Sequence, residues 1–247
     1  MASNNNRFAF TLGKVQRNHE FLLIIQERYD VLGKEMSELE RKKHAIFQRD
    51  IQGQERGSRQ STPEENAMSK RLIELNLKIH LEIETFYSNA KILLDHIAHA
   101  IYAHFGQAQH CSLESHDRFL KDFDKYVSQK GLSVPEGMRE REVAKGLSKR
   151  IIVFRDKMIN HEMDPNRSHG ICMFQGAEPL VFSQKIEGTL DDFRSTEPLS
   201  VLMRDIERYI VYFMTVIKEN EAKTVLKLAA VPSWEKQRPD SYPEKQV

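Results

Sequence analysis

The sequence predicts a mainly α protein, a helical bundle with a long N-terminal amphipathic helix, and three observations carry that expectation. Apolar residues recur at steps of three and four over two long stretches, the spacing that places them on one face of a helix. Pro63, Pro135, Pro165, Pro198 and Pro232 stand at the edges of the expected helices, where they start or stop them rather than interrupt them. Strand-like patterning is confined to one short region near residues 171–183.

The first helix is expected from Thr11 to Gln52, with Leu22, Ile25, Tyr29, Leu32, Met36, Leu39 and Ile46 on its seam and Lys43 as the break. Gly33 weakens this helix without ending it. The polar stretch GQERGSRQSTPEEN marks a connection. At its end Thr62, Pro63 and Glu65 supply an N-cap, a first-turn proline and a capping-box partner.

The second helix then runs from Pro63 to Phe105 and stops at Gly106, with Leu72, Leu75, Ile79, Ile83, Phe86, Ala90, Leu93, Ile97 and Ile101 as its apolar stripe. From Ile83 onward Tyr87, Leu94 and Tyr102 extend the apolar surface to other faces, which predicts a central helix surrounded by neighbours. The stripe from Leu22 to Ile46 has two available uses, a parallel dimer or packing against Leu72 to Ile83. The order helix, connection, helix favours an antiparallel hairpin within the chain.

Shorter helices are expected over Asp117 to Gln129, closed by Gly131, and from Pro135 to about Asn160, closed before Pro165. ICMF and LVFSQ, flanking QGAEP, fit either a small β-hairpin or an ordered loop. A last helix begins at Thr196-Glu197-Pro198 and carries Leu199, Leu202, Ile206, Ile210, Phe213 and Ile217, ending before Pro232. The proline-rich tail has little to bury apart from Trp234. The expected organisation is therefore 1–62 as long helix and connection, 63–228 as bundle and 229–247 as flexible tail.

Composition limits the function classes. Among 247 residues, 37 Lys and Arg oppose 36 Asp and Glu, a net charge of +1 that argues against indiscriminate coating of nucleic acid. Two cysteines, Cys111 and Cys172, make no disulfide framework and fit a reducing cytosol. The longest apolar run, Phe21 to Ile25, falls far short of the roughly 20 residues of a membrane span, and no signal-peptide pattern opens the chain. A cytoplasmic protein without membrane contact is expected.

Charge is unbalanced in one place. Between Arg139 and Lys157 seven basic residues, including Arg150, Arg155 and Lys157, meet three acids, a local excess of four positive charges. Just beyond them stands His161. A histidine that exchanges protons near neutral pH, beside cationic groups that hold a phosphate, is the minimum equipment for metal-free phosphodiester cleavage. The same residues also suit a solvated helix face.

Arg155-Asp156-Lys157-Met158-Ile159-Asn160-His161 resembles the signature of the HEPN family (higher eukaryotes and prokaryotes nucleotide-binding domains), an arginine followed by four to six residues and a histidine. FYSNAKILLDHIAHAIYAHFG looks like the long helix of HEPN bundles, and the resemblance spans roughly Ile79 to Val225. It implies a bundle that dimerises and brings two motif copies to one cleft, acting in active relatives as a metal-independent ribonuclease of toxin or defence type. Carried over, His161 is the acid/base group for attack by a ribose 2′-hydroxyl and Arg155 holds the scissile phosphate. Asp156 orients that arginine, while Lys157, Asn160 and Arg150 contact or support the phosphate. Lys157 shares a helix face with His161, whereas Arg155 lies about 120° away on an ideal helix.

Three further groupings compete for attention. His96, His99 and His104 lie on the second helix, with His80 and Asp95 on the same element, and could supply metal ligands, although no ligand motif accompanies them. Asp95 and His99, four apart, could instead support Arg155 from the neighbouring helix. His110, Cys111 and His116 surround the following turn and read most economically as a polar loop. The expected metal and cofactor complement is none, and the expected partners are RNA, a second copy of the chain and a protein partner for the helical hairpin. Against the nuclease stands a non-enzymatic helical module that binds RNA, nucleotide or protein.

Overall fold

In the computed structural model the described residues are 2–53, 61–135, 146–152, 154, 167–172, 178–185 and 194–226. The architecture among them is mainly helical. Helix α1 is Ala2–Gly53, α2 is Pro63–Phe105 and α3 is His116–Lys130. Residues 146–152 form the helical segment α4, and Leu199–Glu219 is α5. A small sheet of β1 (Arg167–Cys172), β2 (Leu180–Lys185) and β3 (Arg194–Ser195) lies between α4 and α5 in sequence.

Helices α1 and α2 pack as an antiparallel hairpin. Cross-helix pairs fix its direction, because Asn18 meets His96, Arg28 meets Glu82 and Glu35 meets Arg71, in opposite order along the two helices. Leu22, Ile25, Tyr29 and Met36 are buried in the seam, and Leu32 and Leu39 pack at its edge. On α2 the stripe from Leu75 to Ile101 is buried as its spacing requires, and Tyr87 and Leu94 are buried with it. Tyr102 departs from that pattern and is exposed. It stands beside the loop after α2, where no neighbouring helix covers it among the described residues.

The local signals explain the helix ends. Thr62 Oγ1 accepts from the Glu65 amide while Glu65 accepts from the Thr62 amide, which completes the capping box. Ser115 caps α3, and Gly131 closes it in the left-handed conformation at φ 58°, which favours glycine. Helix α5 ends at Glu219, just past Ile217 and before Pro232. The Asn220 side chain causes this: it donates to the Ser133 and Val216 carbonyls and accepts from the Ser133 amide, turning the chain into the short 3-10 helix Glu221–Lys223. The tail with Trp234, and the stretch following Pro135 up to residue 145, lie outside the described residues.

The sheet is antiparallel with order β1-β2-β3. Arg167 faces Lys185 and Cys172 faces Leu180, so β1 begins four residues before the ICMF segment, and β3 adds a strand that the sequence did not announce. Pro179 leads into β2 from the face of α1, where the Tyr29 hydroxyl donates to the Pro179 carbonyl. The proline ring lies against Gly33, where a Cβ would stand 3.0 Å from Pro179 Cγ. Gly33 thus lets the chain approach a helix that it otherwise weakens.

Candidate functional site

The basic segment reaches the bundle through α4. Leu147, Ser148 and Ile151 are buried, and Phe154 follows them into the core. The Phe154 ring lies on Tyr87 of α2 with centroids 4.0 Å apart. Two polar assemblies hold the same stretch from opposite sides.

The first is built on Arg150. Its Nε donates to Glu197 at 2.6 Å, its Nη2 donates to the other oxygen of Glu197, and its Nη1 donates to Asp205 of α5 at 2.8 Å. This fork satisfies both carboxylates by geometry that lysine does not reproduce. Burial works against the charge of Arg150, but the hydrogen bonds it donates to Glu197 and Asp205 outweigh it and hold the guanidinium above its ordinary pKa. Burial also raises the Tyr87 hydroxyl, with Glu197 adding to the effect.

The second assembly is built on His116, whose side chain is fully buried at the start of α3. Its Nε2 meets the Tyr209 hydroxyl of α5 and its Nδ1 lies 3.1 Å from Ser148 Oγ. The serine hydroxyl donates its one proton to Asp117 at 2.6 Å. Nδ1 must therefore be the donor to Ser148, and Nε2 the acceptor from Tyr209. Burial lowers the pKa of His116 to about 3, with the nearby Lys91 charge in the same direction and Asp95 opposing it. The Ser, His and Asp types evoke a nucleophilic triad, yet the hydroxyl proton points to the carboxylate and not to the imidazole. The buried ring is also closed to solvent, so the assembly joins helices and is not a reaction centre.

Asp95 belongs to this second assembly. It accepts from Lys91 Nζ at 2.6 Å and from the His116 amide at 2.9 Å. His99, its expected partner, instead lines a cavity of about 580 Å³ with Tyr102, Cys111, Ser112 and Asp122. His96 Nδ1 pairs with Asn18, and His104 Nδ1 lies beside Thr224. His96 and His99 do meet edge to face, with ring centroids 6.3 Å apart, but no group of three or more metal-ligating side chains is assembled among the described residues.

A third contact ties the sheet to the same region. Glu178 accepts from the Ser200 amide, supplying an oxygen to the first turn of α5, whose N-cap Pro198 has no side chain to offer. Burial raises the Asp30 carboxyl, and Glu178 raises it further. Arg155, Asp156, Lys157, Asn160 and His161 themselves lie outside the described residues. Of the basic residues expected to serve the phosphate, Arg150 alone is described, and its donors face Glu197 and Asp205.

Sequence reasoning singled out Arg150 and Asp95 but not Glu197, Asp205, Ser148 or Tyr209. The signal for Glu197 and Asp205 was their i, i+8 spacing around the start of an apolar helix, which does not name a cation as partner. No family model, no curated protein and no solved structure matches this chain. No helix among the described residues is long and apolar enough to cross a membrane.

Proposed function

We propose that the chain is a HEPN-like, metal-independent endoribonuclease of toxin or defence type, acting as a homodimer in the cytoplasm with Arg155 and His161 as its reacting pair. The observation that supports this reading is the anchoring of α4. Leu147, Ile151 and Phe154 are buried, Arg150 is clamped by Glu197 and Asp205, and Ser148 is tied to His116 and Asp117. The residue before Arg155 is therefore held on the bundle, the kind of preorganised support a phosphate-binding arginine needs.

In this reading His161 takes the proton of a ribose 2′-hydroxyl while its oxygen attacks the adjacent phosphorus. The bond to the 5′-oxygen breaks and that oxygen takes up the proton that His161 removed, leaving a 2′,3′-cyclic phosphate, a 5′-hydroxyl and a neutral imidazole. Arg155 and Lys157 hold the phosphate charge, Asp156 orients the arginine and Asn160 adds a hydrogen bond. Arg150 acts from behind, positioning α4. The test is end-group analysis of RNA incubated with the protein in chelator. Cyclic-phosphate ends support the reading, and intact RNA or 3′-hydroxyl ends refute it.

A second reading rests on a different observation. Ile73, Leu77 and Leu81 are exposed along one side of the helical hairpin, as a helical module that binds a protein partner without catalysis requires.

A further inference from the structure

The outer face of α2 carries Ile73, Leu77 and Leu81, one per turn and 64%, 67% and 60% exposed. Scattered single apolar residues on a surface need no explanation, but three in a row on successive turns form a stripe. Beside it runs a groove between α1 and α2, where Val31, Leu32 and Leu81 make an apolar floor and Glu27, Arg28, Lys78 and Glu82 a charged rim. Val31 is itself exposed.

The charges flanking the stripe distinguish its partners. Lys70 precedes Leu77 by seven residues and Glu84 follows it by seven, so all three lie nearly on one line along the helix. Neither Lys70 nor Glu84 forms an ion pair among the described residues. If a second α2 lies antiparallel on the first, with the two-fold axis at Leu77, residue 73 meets residue 81 and residue 70 meets residue 84. Each Lys70 then faces the Glu84 of the second copy, and each Ile73 meets Leu81 at the mouth of the other copy's groove. A parallel arrangement sets Lys70 against Lys70 and Glu84 against Glu84, which like-charge repulsion disfavours.

We infer that this face is a self-association surface on which a second copy of the chain docks antiparallel about Leu77. The two-fold places the same patch on both partners, as an isologous interface requires. It is separate from any pairing of the motif-bearing ends. Tyr87, which holds Phe154, is ten residues or about 15 Å from Leu77, so this axis leaves the two Tyr87 residues about 30 Å apart along the helices.

The experiment measures the mass of the full chain in solution as a function of concentration, using wild type, Leu77→Asp, Lys70→Glu and the double variant Lys70→Glu/Glu84→Lys. Lys70 and Leu77 are exposed and Glu84 is half-buried, and circular dichroism verifies the fold of every variant. The expected result is a halving of mass for Leu77→Asp, weakened association for Lys70→Glu, and restoration in the charge-exchanged double variant. Under mild oxidation Leu77→Cys should yield a covalent pair while Ile73→Cys, displaced from its own copy, should not. A wild-type mass equal to that of Leu77→Asp at every concentration overturns the inference and leaves the face to a different protein. Charge reversal without effect, or cross-linking through position 73 and not 77, also overturns it.

Discussion

The imidazole of His116 on α3 donates from Nδ1 to the Ser148 hydroxyl of α4 across 3.1 Å, and it does so as a neutral ring enclosed by the bundle. Its pKa of about 3, lowered first by burial, lies well below the ordinary 6.5. Between these values the unfolded chain binds a proton that the folded chain refuses. The stability from this site is therefore complete above pH 6.5 and falls as pH drops toward 3, at about 1.4 kcal/mol per pH unit. His96 and His104, whose pKa values are also lowered chiefly by burial, act in the same direction. Urea unfolding at pH 7.5, 5.5 and 4.5 should show a declining midpoint for wild type. His116→Gln should be less stable at pH 7.5 and have a shallower decline, and an unchanged slope would count against this account. Tyr209→Phe, which removes the donor to Nε2, should cost about 1–3 kcal/mol.

Arg150 gives a prediction that separates positioning from phosphate binding. Arg150→Ala leaves Glu197 without its cation and Asp205 with only the longer Arg208 contact at 3.9 Å, in a partly buried site, and a loss of about 1–3 kcal/mol is expected. Arg150→Lys should lose less, since it keeps the charge but not the fork. Titration of labelled RNA at several salt concentrations provides the discriminating readout. Removing a phosphate contact flattens the salt dependence of binding by about one unit of slope, and Arg150→Ala should leave that slope unchanged. A flatter slope would make Arg150 a direct phosphate ligand.

Two glycines of α1 should respond oppositely to the same change. Nothing lies within 4 Å of a Cβ added at Gly13, so Gly13→Ala should gain about 1 kcal/mol from helix propensity. At Gly33 the added carbon stands 3.0 Å from Pro179 Cγ and 3.1 Å from Cδ. Pro179 is buried and tied through its carbonyl to Tyr29, so it has little room to withdraw. Gly33→Ala should leave the melting temperature at or below that of wild type, and a gain matching Gly13→Ala would show the contact to be loose.

The contrast between what could be read early and what could not follows from sequence distance. Thr62, Pro63 and Glu65 act on one another within a single turn, so the start of α2 was legible to the residue. The seam from Leu22 to Met36 was legible because a helix repeats its own face. His116 was not, since grouping it with His110 and Cys111 suggested a polar loop. Its burial depends on Ser148, 32 residues away, and on Tyr209, 93 residues away. Arg150 was misleading for a related reason. Its local surroundings are basic, whereas its partners Glu197 and Asp205 stand 47 and 55 residues further along. Asp95 and His99 satisfy the i, i+4 spacing, but Lys91 and the His116 amide compete for the same carboxylate oxygen. The motif from Arg155 to His161 lies outside the described residues.

The most direct measurement compares RNA cleavage by wild type, Arg155→Ala and His161→Ala in excess chelator, with circular dichroism confirming that all three are folded. The account predicts cleavage by wild type and its loss, by at least about a hundredfold, in both variants. Cleavage that persists in both folded variants, or a wild type that leaves RNA intact, would contradict it.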